Sequence, residues 1–65
     1  MKKFMVIATS EGEQFATFTD DYAEASRTRM DYVCGLGAYA EIYIREKQYD
    51  EDGNPLGLEY VFLEA

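Results

Sequence analysis

The sequence predicts an α+β fold of order ββαββ, a four-stranded antiparallel sheet in strand order 2-1-3-4 with one helix on one face. Three observations carry this. Hydrophobic periodicity is β-like at both ends of the chain and helical only in the middle. Capping residues bracket the helical stretch. A chain of 65 residues has room for a single core, so residues 1–65 are read as one domain.

Residues 3–9 are rich in β-formers and apolar at both parities, as expected of a central strand covered on two sides. Ser10-Glu11-Gly12-Glu13 is a turn signal, and residues 14–18 return as a second, shorter strand. Thr19, Asp20 and Asp21 are N-cap candidates, with Asp21 and Glu24 at capping-box spacing. On a wheel of about 100° per residue, Tyr22, Ala23, Ser26, Met30, Val33 and Cys34 share an arc of about 120°. Glu24, Arg27, Thr28 and Asp31 lie opposite. Gly35 is placed as the left-handed terminator, so the helix is expected to stop near Cys34.

From Ala38 the period becomes two. Ala38, Ala40, Ile42 and Ile44 form one face; Tyr39, Glu41, Tyr43, Arg45, Lys47 and Tyr49 form the other. Residues 50–55 read as a loop and 56–63 as a final strand, with Leu58, Tyr60 and Phe62 alternating against Glu59, Val61 and Leu63. Strands two and three are joined through the helix, so they run parallel with a right-handed crossover, and the doubly apolar first strand fills the gap between them.

Six Tyr and four Phe stand beside no His, no Trp and one Cys. Neutral-pH proton transfer most often uses His, and metal sites need clustered His, Cys or carboxylates, so the composition points away from an enzyme, a metal site or a cofactor. A net charge of −7 repels phosphates and anionic lipid, which speaks against direct nucleic-acid or membrane binding. The opening apolar run is cut by Thr9, Ser10 and Glu11, too soon for a secretory signal, and no segment approaches ~20 apolar residues. A cytoplasmic protein is expected. One Cys cannot staple the small core through an intrachain disulfide, so association with a second copy is the expected reinforcement.

One helix covers one side of a sheet. The other side would carry Tyr39, Tyr43 and Tyr49 plus one parity of the first and last strands; which parity is left open by the sequence, and Tyr60 and Phe62 are taken as the last strand's candidates. Tyr is enriched at interfaces and contiguous apolar patches seldom stay exposed, so these five residues are the candidate interface.

Other motifs read as structure. Cys34 lies near a helix C-terminus with no His base, so a buried structural thiol is expected. Gly35-Leu36-Gly37 ends a helix, whereas phosphate loops begin one. Asp50, Asp52 and Asn54 match the start of a calcium loop, but Pro55 and Val61 occupy the positions that need Gly and a bidentate Glu. An acidic hairpin loop turning at Asp52-Gly53 accounts for the same residues. Glu11 and Glu13 flank a turn and are read as solvated.

Two segments, Met1-Lys2-Lys3-Phe4-Met5-Val6-Ile7-Ala8-Thr9 and Met30-Asp31-Tyr32-Val33-Cys34-Gly35-Leu36-Gly37-Ala38-Tyr39-Ala40-Glu41, resemble small acidic proteins encoded on prophages and conjugative elements of gut Firmicutes. The resemblance covers about half the chain, carries no functional residue, and implies a bacterial, cytoplasmic mobile-element accessory. The expected function is a non-enzymatic protein–protein interaction module, homodimeric through the open sheet face or the last strand or partnered by another protein, and binding no small-molecule substrate. The rival expectation is an acidic nucleic-acid mimic that occupies the basic groove of a host DNA-binding or defence protein.

Overall fold

The computed structural model describes residues 2–65. Its elements are β1 (Phe4–Ser10), β2 (Glu13–Thr19), α1 (Tyr22–Leu36), β3 (Tyr39–Tyr49) and β4 (Pro55–Glu64). The sheet order is β2-β1-β3-β4, with every adjacent pair antiparallel, as the crossover argument requires. β1 and β2 are closed by the two-residue loop Glu11-Gly12, both at positive φ (52° and 81°), the backbone of a turn whose twist suits a hairpin.

Asp21 caps α1. Its backbone is extended and its side chain accepts the Glu24 N–H at 2.7 Å, which satisfies one of the free donors of the first turn. The helix end differs from the expectation. Gly35 lies inside the helix; Gly37 is the left-handed residue (φ 64°), and the N–H groups of Gly37 and Ala38 both reach the Tyr32 carbonyl. The length of the sheet explains the shift. At about 1.5 Å per residue, the 15 residues of α1 span about 22 Å, close to the ~23 Å of the seven-residue β1. A helix stopped at Cys34 would release the chain short of the start of β3.

The packing face of α1 is also turned from the expected arc, by roughly a quarter of the circumference. Ala25 is fully buried, Tyr32 and Val33 pack against the core, and Met30 and Cys34 are exposed. Two polar anchors outweigh the simple hydrophobic count. Arg29 lies over the sheet and its Nε donates to the Ala40 carbonyl at 3.1 Å. Tyr32 stacks on Phe15 with centroids 6.1 Å apart, and its hydroxyl is 2.8 Å from Thr17 Oγ1. An Arg stem and a Tyr ring bury their apolar parts while their polar ends find partners, which a wheel scored on residue type does not register.

The core is Phe4, Val6, Ala8, Ala25, Ala38, Ala40 and Ile42. Its alanines let the helix lie close to the sheet, so little volume separates the layers. Thr19 is the one buried polar side chain among the described residues, and its hydroxyl donates to the Asp21 carbonyl.

β1 ends its pairing with β3 where Arg45 N–H meets the Lys3 carbonyl at 2.8 Å. Beyond that point β3 and β4 pair only with each other, so residues 46–59 form a two-stranded arm, and the molecule measures 44 × 24 × 17 Å. The arm turns through Asp50, whose carboxylate accepts the N–H groups of Asp52 and Asn54 at 2.9 and 2.8 Å. Gly53, at φ 84°, donates to the Asp50 carbonyl. The D-x-D-x-N residues therefore serve as a hairpin loop.

Candidate functional site

Alternation decides which side chains stand on the side away from α1. Phe4, Val6 and Ala8 are buried beneath the helix, so Met5, Ile7 and Thr9 take the other side. Register carries this across the sheet: Phe18 and Ala16 flank Met5 and Ile7 on β2, and Tyr43 and Glu41 flank them on β3. On β4, Phe62, Tyr60 and Leu58 stand beside Tyr43, Arg45 and Lys47. The five expected residues, Tyr39, Tyr43, Tyr49, Tyr60 and Phe62, thus share one face. Register shifts flank Leu63 and Leu56, so these two leave the alternation.

The aromatic side chains form local sets. Tyr43 and Phe62 meet edge to face at 5.9 Å. Tyr60 lies across the sheet: its ring is 5.9 Å from that of Phe18, the Arg45 guanidinium is 5.9 Å from its centroid, and its hydroxyl donates to the Lys2 carbonyl at 2.9 Å. Phe18 was not among the expected residues. Alternation puts it on the opposite side of the sheet from Phe15, but which of those sides α1 covers is set by tertiary packing.

Glu41 sits between two tyrosines. The Tyr43 and Tyr39 hydroxyls donate to its two carboxylate oxygens at 3.2 and 3.4 Å. Partial desolvation, followed by the neighbouring Glu41 charge, raises the Tyr43 pKa, so this phenol stays protonated as a donor. A second phenol–carboxylate contact, Tyr22 to Glu64, ties the start of α1 to the end of β4 and raises the Tyr22 pKa. Tyr39, Tyr49 and Phe62 keep 61%, 56% and 55% of their surfaces exposed. The apolar area on this face is open to contact.

The arm separates charge by side. Lys47 and Arg45 share the aromatic side, whereas Glu46 and Glu59 face each other directly on the opposite side. The acidic tip residues Asp50, Glu51 and Asp52 follow them. Cys34 is exposed on the outer side of α1, which corrects the expectation of a buried thiol. No three His, Cys, Asp or Glu side chains converge at metal-binding distance among the described residues, and these residues enclose no pocket. No helix among them is long and apolar enough to cross a membrane.

Fold and face together define a small α+β sheet protein with a helix on one side and an uncovered aromatic row on the other. Comparison with protein-family models, curated proteins and solved structures returned no match.

Proposed function

We propose that this chain is a non-enzymatic protein–protein interaction module that self-associates through its open sheet face. The observation that carries the reading is the exposure of Tyr39, Tyr49, Phe62, Phe18 and Leu58 on a side with no covering layer. Large exposed apolar groups gathered on one face of a small protein mark contact surfaces, and Tyr and Phe contribute large contact areas at low entropic cost. The resemblance to mobile-element proteins supports a bacterial, cytoplasmic setting. Nucleic acid, membranes, cofactors and small-molecule substrates lie outside this reading. Sedimentation at micromolar concentration should give the mass of a dimer, shifted towards monomer by Tyr43→Ser. A wild-type chain that stays monomeric at every accessible concentration overturns the proposal.

A second reading, the acidic mimic that occupies a basic groove, is favoured by the opposed pair Glu46 and Glu59 next to the acidic tip. Like charges directly opposite each other cost stability in the free protein, and a basic surface would relieve them. This reading requires salt-sensitive binding to a nucleic-acid-binding protein that is abolished by reversing both charges.

A further inference from the structure

β4 pairs with β3 and with no other strand among the described residues. Which of its backbone groups point outward follows from a single hydrogen bond. Arg45 N–H donates to the Lys3 carbonyl, so Arg45 turns its backbone towards β1, and by alternation Ile44 turns towards Val61 on β4. The N–H and C=O groups of Leu58, Tyr60 and Phe62 are therefore directed away from the sheet. Free edges are normally blunted by proline, bulges or charge. Here Pro55, the irregularity at Leu56 and Gly57 (φ 123°) lie at one end, and the irregularity at Leu63 lies at the other. Residues 58–62 between them carry none of these devices except Glu59, whose side chain points to the helix side.

We infer that a second copy of this chain pairs with this edge, β4 against β4, antiparallel about Tyr60, joining two four-stranded sheets into one of eight strands. The inference rests on the reading that the chain self-associates, but it places the contact at the β4 edge and leaves the aromatic face uncovered. In this register Tyr60 opposes Tyr60 and Leu58 opposes Phe62, all with outward backbone groups, so each pair exchanges both N–H···O bonds. Glu59 then faces Val61. The neighbouring registers are worse: one sets Glu59 directly against Glu59, and the other sets the Leu63 irregularity against Glu59 and interrupts the ladder. The Tyr60 ring is drawn inward over Arg45 towards Phe18, so it does not shield the edge. A two-fold axis perpendicular to the sheet keeps both aromatic faces on one side, where they become a single continuous surface.

A synthetic full-length chain with an N-methyl group on the Tyr60 amide tests the pairing, because it removes the outward N–H and keeps the side chain. Its dimer dissociation constant should rise at least about tenfold, with the far-UV circular dichroism of the monomer unchanged. Independently, mixing a Leu58→Cys chain with a Phe62→Cys chain, both carrying Cys34→Ser, should yield the mixed disulfide in preference to either symmetric one. A dimer unaffected by N-methylation, or symmetric disulfides formed as readily as the mixed one, overturns edge pairing. If Tyr43→Ser still disperses that dimer, self-association through the face survives; a monomeric wild type removes both.

Discussion

Phe18 and Tyr60 stand on the two outermost strands of the sheet, yet their rings are 5.9 Å apart. Sheet twist and the inward lean of Tyr60 close one end of the otherwise open face, leaving Met5 half-buried between them. The hydroxyl bond to the Lys2 carbonyl holds the ring in this pose. Tyr60→Phe should cost about 1 kcal/mol through that bond, and Tyr60→Ala about 2 kcal/mol, since the aromatic pair is lost as well. Urea denaturation of the two variants checks the order; equal stability of both with the wild type would show that the contact contributes nothing.

The opposed Glu46 and Glu59 make the arm the least self-consistent part of the sheet. Glu59→Lys replaces repulsion with attraction and should stabilise the fold by about 0.5 kcal/mol at low salt. The gain should shrink as ionic strength rises. A midpoint unchanged at low salt would mean that the two carboxylates already splay apart in water.

Glu11 occupies a left-handed conformation (φ 52°) that disfavours a side chain of its kind. Glu11→Asn creates an Asn-Gly turn and should raise stability by about 0.5 to 1 kcal/mol. Thermal melting is sufficient to detect it, and a lower melting temperature would show that Glu11 makes a compensating contact.

Asp50 is held below the ordinary carboxylate range, first by the Asn54 backbone N–H and then by the Asn54 side chain and the N–H groups of Asp52 and Gly53. A depressed pKa in the folded state means that the ionised form stabilises the fold. That contribution is complete above the unfolded value and disappears as pH falls through the lower folded value. Asp50→Ala should therefore melt below the wild type at neutral pH and converge with it in strong acid. A gap independent of pH would show that the loop is held by its backbone alone.

Cys34 stands on the outer side of α1, clear of the core. Thiol reagents should label it in the folded protein within a small factor of the denatured rate, and Cys34→Ala should change stability by no more than about 0.5 kcal/mol. Strong protection in the native state would instead place the sulfur inside a contact between copies.

Strand order and the N-cap at Asp21 were legible because each depends on local or topological rules: a doubly apolar β1 between strands joined through a helix, and a carboxylate three residues before Glu24. The common side of Tyr39, Tyr43 and Tyr49 was legible from alternation within one strand, whereas the placing of Tyr60 and Phe62 beside them needed the β3–β4 register. Tertiary structure decided the rest. Which of two glycines ended α1 depended on the distance the helix had to span, and its packing face depended on where the Arg29 guanidinium and the Tyr32 hydroxyl found partners at Ala40 and Thr17. Cys34 turned outward as a result. The meeting of Phe18 with Tyr60 needed the twist of the whole sheet. Periodicity reports which residues share a side of an element, whereas the rotation of that element is set by its neighbours.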